Sequence, residues 1–194
     1  MAKEEKPIYM KPWIWALAII VVLVLVLWAS YNNFVVLNQN ADAQWAQVQT
    51  QYQRRIDLIP NLVNSVTGSM HFEASLLQNI TALRSQWMSS KSVEDQVNTG
   101  NALDSALGRL LVVYENYPDL QSNKLIAGLM DELAGTENRI SVERMRYNDA
   151  VRAYDTAIQT FPSVLFANAF GFTPRTYFQA IPGSEIPPTV NLTG

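Results

Sequence analysis

The chain has no cysteine and a single histidine, His71, among its 194 residues. A disulfide scaffold, a thiolate nucleophile, an iron–sulfur site and a His/Cys zinc cluster are all excluded by that shortage. Charge is scarce too: 16% of residues are charged, against about 25% in an ordinary soluble chain. Beyond residue 11 there are 11 basic and 15 acidic residues, an acidic balance that speaks against a nucleic-acid groove. Strict apolar/polar alternation and hairpin turn signals are missing throughout, so strands are not expected and the class is all-α. No glycine-rich phosphate loop, nucleophile–base pair or metal-ligand spacing is found. The length suits one domain, or one domain with an appendage.

The apolar residues, 48% of the chain, are concentrated near the N-terminus. All 17 residues from Trp13 to Ala29 are apolar, and no charge occurs between Lys11 and Asp42. A helix there can cross a hydrocarbon core of about 30 Å. Leu27 and Trp28 are too bulky for a signal-peptidase site, which favours an uncleaved anchor. Trp13 and Trp15 at one end, with Trp28 and Tyr31 at the other, set amphipathic rings near the two interfaces. Lys3, Lys6 and Lys11 precede the span and the next basic residue is Arg54. Cytoplasmic flanks collect Lys and Arg, so the N-terminus is expected in the cytoplasm and residues 31–194 outside it. The expected divisions are a cytoplasmic tail over 1–11, a transmembrane helix over 12–31, a helical-bundle domain over 32–162, an aromatic segment over 163–180 and a proline-rich tail over 181–194.

From residue 34 onward the apolar positions step by three or four, the helical period. The first stripe is Ala41, Trp45, Val48, Tyr52, Ile56, Ile59, Val63, Val66 and Met70, with a bend expected near Asp57 to Pro60. Gly68 and Ser69 read as its stop and the next start. A second helix over about 70–88 turns Phe72, Leu76, Ile80, Leu83 and Trp87 inward. Ser92 and Asp95 form a capping box for a third, carrying Val93, Val97, Leu103, Leu107, Leu110 and Tyr114. The fourth stripe runs from Leu125 through Leu129, Leu133, Thr136, Ile140, Glu143, Tyr147, Val151, Tyr154 and Ile158 to Phe161. These lengths predict a single transmembrane helix followed by an antiparallel, up-and-down four-helix bundle. Three long helices are the alternative, if Gly68 does not break the first.

Three stretches carry a resemblance. They are YNNFVVLNQNADAQWAQVQTQYQRRIDLIPNLVNSV, HFE at 71–73, and ELAGTENRISVERMRYNDAVRAYDTAIQTFPS. Together they resemble the LemA family of bacterial membrane proteins from about Tyr31 to Ala180, with RR-x-DLIPNLV and GTENRI as the specific motifs. Ser69 and Met70 depart from the Gly-Tyr pair more usual there, and Asp155 from Asn. The resemblance implies an N-terminal membrane anchor and a helical bundle, and supplies no catalytic residue.

Arg55 falls on the apolar stripe between Tyr52 and Ile59, so its guanidinium needs partners in the core. If residue 34 lies opposite 158 in an antiparallel pairing, 55 lies opposite 137. A register-fixing polar network of Arg54, Arg55, Asp57, Asn61, Glu137, Asn138, Arg139 and Glu143 is the stronger expectation, with an anion site as the alternative. His71 and Glu73 lack the paired Glu-x-x-His motifs of a bundle metal site, and no metal or cofactor is expected.

Between Asn38 and Gln53, eight of sixteen residues are Asn or Gln and only Asp42 is charged. Asn40, Gln44, Gln47 and Gln51 form one flank beside the core stripe. That flank is either a seam between copies of the chain or a hydrated surface. Phe166, Phe170, Phe172, Tyr177 and Phe178 either plug the end of their own bundle or meet the bilayer or a second copy. The expected function is a non-enzymatic, membrane-anchored scaffold that self-associates at the outer side of the bacterial cytoplasmic membrane. Its partners would be the lipid bilayer, further copies and an envelope protein, with no nucleic acid. An accessory hydrolase or a ligand-binding sensor of the envelope is the alternative.

Overall fold

A computed structural model describes residues 12–67 and 73–179. Residues 1–11, Gly68, Ser69, Met70, His71, Phe72 and residues 180–194 lie outside the described residues. The described chain is helical, with no strand. Its elements are α1 (Pro12–Val66), α2 (Ala74–Ser89), α3 (Val93–Asn116), α4 (Pro118–Gln121), α5 (Lys124–Gln159) and α6 (Ser163–Ala169).

α1 runs 55 residues from the apolar stretch into the amphipathic stripe, because neither glycine nor a second proline interrupts it. Pro60 sits within the helix. Having no N–H, it leaves the carbonyl of Ile56 without its i+4 donor. Arg84 of α2 supplies a substitute, donating from Nε to the Ile56 oxygen at 3.2 Å. α3 starts at Ser92, whose Oγ accepts from the Asp95 amide at 3.0 Å and donates to its carboxylate at 2.7 Å. At the head of α5, Asn123 Oδ1 accepts from the Leu125 amide at 3.0 Å, the usual work of an N-cap side chain. The polar interruption around Pro118 holds the single turn α4, with proline at its tolerant first position. The aromatic segment holds α6, an element the sequence reading did not resolve.

The chain divides into two compact units. One comprises residues up to Asp42 with Ala150–Arg175; the other comprises Ala43–Asp149 with the chain from Thr176. The larger unit buries Val48, Tyr52, Ile56, Ile59 and Leu62 of α1, Leu77, Ile80 and Trp87 of α2, Leu103, Leu107 and Leu110 of α3, and Met130, Leu133, Ile140 and Tyr147 of α5. Each fully buried aliphatic side chain contributes about 1.5–3 kcal/mol. Within this unit α1 and α5 are antiparallel: Trp45 lies on Tyr147 with ring centroids 5.0 Å apart, and Arg55 reaches Thr136 at 3.0 Å.

Parts of the expected stripes turn out differently. In α2, Leu77 is buried while Leu76 and Leu83 are half-buried. At the ends of the fourth stripe, Leu125 and Phe161 are exposed, and Ile126 and Met130 take the inward places in the first turns of α5. A period of 3.6 drifts against any fixed alternation of threes and fours, so an error grows toward helix ends.

The smaller unit buries Phe34, Tyr154, Ile158 and Ala167 together, flanked by Leu37, Ala157 and Phe172. Its part of α1 before Phe34 leaves the apolar side chains Leu17 to Val26 exposed.

Candidate functional site

The larger unit has an ionic cluster in its core. Arg55 is 1% exposed. Its Nε donates to Thr136 Oγ1 at 3.0 Å, one terminal nitrogen donates to Asp104, and the other donates to Glu137 at 2.5 Å. The Thr136 hydroxyl in turn donates to the Leu133 carbonyl at 2.6 Å. The second oxygen of Asp104 accepts from Arg144 and, at 3.2 Å, from the Tyr52 hydroxyl. Two guanidiniums thus flank one carboxylate, with Glu137, half exposed, balancing the charge at the rim.

Aromatic rings roof the cluster. Tyr52 stacks on Trp87 with centroids 5.4 Å apart, and the Arg144 guanidinium lies 4.1 Å from the Phe178 ring centroid. Phe178 is fixed by Asn148, which accepts from its amide at 2.8 Å and donates to its carbonyl at 2.9 Å. Burial pushes the Tyr52 phenol well above its ordinary range, and the neighbouring Asp104 charge adds to the rise. Burial also pushes the Asp104 carboxyl upward, against the pull of Arg144 and Arg55. Gly100 makes room for the phenol: a Cβ there would stand 2.7 Å from Tyr52 Oη.

A cleft of about 200 Å³ opens over Arg55, Asp104 and Glu137, walled by Ser105, Leu107, Gly108, Leu111 and Leu133. Its charged floor is neutralised from within the protein, since each nitrogen of Arg55 donates to a protein acceptor. Among the described residues no group of three metal-ligating side chains converges. His71 lies outside them.

Of the eight residues expected in the polar network, Arg55 and Glu137 meet. Glu143 pairs instead with Arg146 at 2.8 Å, one turn along the same helix. Asp57 accepts from Gln53 at 2.8 Å on the outer face of α1. Arg54, Asn61, Asn138 and Arg139 are exposed. Neighbours in sequence are rotated by about 100° around a helix, so they leave the face that Arg55 occupies. Sequence reasoning missed Asp104 and Arg144, and treated Tyr52 and Thr136 as plain stripe positions. One signal was present: between Asp95 and Glu115, Asp104 is the only acidic residue.

The smaller unit has its own polar knot. The Arg175 guanidinium donates to Asn38 Oδ1 at 2.6 Å and to Asp42, while its amide donates to Asp155 at 3.0 Å. Asp155 is buried. Among the contact candidates here, Phe172 packs edge-on to Phe34 at 5.3 Å and Phe170 edge-on to Tyr31 at the same distance. Phe166 is half-buried and Phe170 exposed. In the larger unit, Tyr177 is half-buried and Phe178 is turned into the core. On the polar flank of α1, Asn40 and Gln47 are exposed while Gln44 and Gln51 are half-buried.

Comparison with known proteins finds relatives. The chain is 27% identical to magnetosome protein MamQ 2 of Paramagnetospirillum magneticum, over 87% of this chain and 71% of that one. It is 26% identical to magnetosome protein MamQ of Magnetospirillum gryphiswaldense, over 81% and 67%. It is 28% identical to protein LemA of Metamycoplasma hominis, over 69% and 61%. None of these names states an enzymatic activity. The model of the LemA family matches residues 44–192, most of the chain including both halves of the Arg55 cluster, and the chain therefore belongs to the LemA family.

Proposed function

We propose that this chain is a non-enzymatic, single-pass membrane scaffold of the bacterial envelope. The carrying observation is α1 itself: one unbroken helix whose first part exposes only apolar side chains and whose last part forms a wall of the domain core. An exposed apolar helix of that length is stable in lipid and not in water. In this reading residues 12–31 span the cytoplasmic membrane, the three lysines of residues 1–11 keep the N-terminus in the cytoplasm, and the domain over 32–162 stands outside with the segments 163–180 and 181–194. α1, α2, α3 and α5 form an up-and-down bundle, supported by the antiparallel contacts of α1 with α5. The ionic cluster fixes the register of that bundle. Copies associate through Asn40, Gln44, Gln47 and Gln51, a flank too poor in charge for an ordinary solvated face, and present a combined surface to an envelope partner.

A ligand-binding sensor is the second reading, favoured by the cleft over Arg55, Asp104 and Glu137. Sedimentation of the full chain in several mild detergents separates the two: a defined multimer is expected, and a monomer refutes the scaffold. Topology is tested with Glu132→Cys, an exposed position on α5 in a chain without native cysteine. It should react with an impermeant thiol reagent once the outer barrier is permeabilised. Protection of that site would reverse the orientation.

A further inference from the structure

In the smaller unit, the first charged residues met beyond the apolar span converge at one level. Asp42 on α1, Asp155 on α5 and Arg175 after α6 are joined in a single knot. On the α1 side nothing charged occurs from 12 to 41, and on the other side nothing from 156 to 174. The knot therefore closes off a charge-free zone built from two stretches of chain far apart in sequence.

Within that zone three large apolar side chains have no cover among the described residues. Ala167 of α6 is packed on Phe34, Tyr154 and Ile158, whereas Phe161 is 82% exposed, Leu165 61% and Phe170 45%. Phe161 lies two residues before α6, Leu165 lies within it, and Phe170 at its C-cap leans on Tyr31. Twenty residues, Pro12 to Tyr31, cover about 30 Å of hydrocarbon at 1.5 Å per residue, so Tyr31 stands at its outer edge. Asp42 is then about 16 Å further out, beyond a headgroup layer of about 5–7 Å. Phe170 and α6 lie at the level of Tyr31 and Phe34, where the bilayer interface is.

We infer that the exposed side chains Phe161, Leu165 and Phe170, at and beside α6, form a second membrane contact, seated in the acyl–glycerol boundary of the same bilayer that α1 spans. It rests on the single-pass reading above. Three large apolar side chains left in water within ten residues are unfavourable, and an interfacial element relieves that exposure. With no Lys or Arg between 156 and 174, the contact recognises the apolar boundary and not headgroup charge. Two contact points, the span and α6, fix how this unit is tilted on the membrane, where a lone helix would leave it free to swing.

The test uses the full chain in phosphatidylcholine vesicles with a nitroxide at one of four positions: Leu165→Cys, Phe161→Cys, Val24→Cys in the span, or Glu132→Cys on the larger unit. Collision with oxygen, which concentrates in lipid, is compared with collision with a water-soluble nickel chelate. Labels at 165 and 161 should show a nickel-to-oxygen ratio several-fold below that at 132 and above that at 24, unchanged when phosphatidylglycerol is added. A ratio at 165 equal to that at 132 overturns the contact, since the face would then be in water. Low collision with both reagents overturns it as well, because a second copy would be covering the face. If the label at 24 meets nickel freely, the span itself fails, which is a separate result from a lipid-like label at 24 beside a water-like one at 165.

Discussion

Arg55 and Glu137 form one ion pair, yet the two ends sit in different surroundings, so removing either end has a different cost. Arg55→Ala deletes the group that binds Thr136, Asp104 and Glu137 together and leaves a cavity beside a buried carboxylate. Breaking a desolvated pair from its buried side costs about 3–5 kcal/mol, although Arg144 still holds Asp104, which places the expected loss near the lower end. Glu137→Ala leaves Arg55 bonded to Asp104 and Thr136 and removes a half-exposed carboxylate. That loss should be about 1–3 kcal/mol, because one terminal nitrogen of the buried guanidinium loses its acceptor while water can reach the vacated rim. Denaturant melts of the two variants in detergent check the asymmetry; two equally small losses would mean that Arg55 is solvated. Tyr52 adds a pH dependence. Its folded pKa is raised, so the folded state holds the phenol neutral while the unfolded chain ionises it from about pH 10. The stabilisation is complete below that pH and is lost as pH rises above it. Melts taken from pH 8 to pH 11 should fall less steeply for Tyr52→Phe than for the parent.

At the scale of elements, two features of the helices are settled by their neighbours. Gly100 lies in α3 where a methyl group would strike the Tyr52 hydroxyl, and Tyr52 is held between Trp87 and Phe178. Gly100→Ala should therefore destabilise by about 1–3 kcal/mol, the range for overpacking. Gly108 is in the same helix with nothing within 4 Å of its Cβ position, and Gly108→Ala should stabilise by about 0.5–1 kcal/mol through helix propensity. Thermal unfolding of the pair tests both signs at once. Arg84 is the counterpart for α1. It caps the carbonyl that Pro60 leaves open, so Arg84→Met, which keeps the stem, should cost about 1–2 kcal/mol. In Pro60→Ala the restored amide would satisfy Ile56, and the same Arg84→Met change should cost less.

At the scale of the molecule, the proposed association of copies through the polar flank of α1 is open to a charge test. Replacing Gln44, Gln47 and Gln51 together by Lys puts three like charges on one seam, where each copy would face the other's. Native sedimentation should then show smaller particles than the parent while circular dichroism shows unchanged helicity. An unchanged mass would refute association through that flank.

How far these conclusions could be read from sequence differs by kind of interaction. Hydrophobic periodicity is a local property, so the helical class, the apolar span and the burial of Arg55 between Tyr52 and Ile59 follow from spacing alone. The Ser92 cap is equally local, because its partner is three residues away. Asp104 and Arg144 are different: they stand 49 and 89 residues from Arg55, beside the core stripes of their helices, and no local pattern separates them from solvated charges. The same holds for Arg84 and the Ile56 carbonyl, and for Asp42, Asp155 and Arg175. α6 escaped because seven residues are too short for a period to declare itself. The sequence by itself determined which residues had to leave water. Only the tertiary structure decided which charges compensate one another there, because pairing depends on rotation about each helix axis and on register between helices, and these are fixed when the core packs.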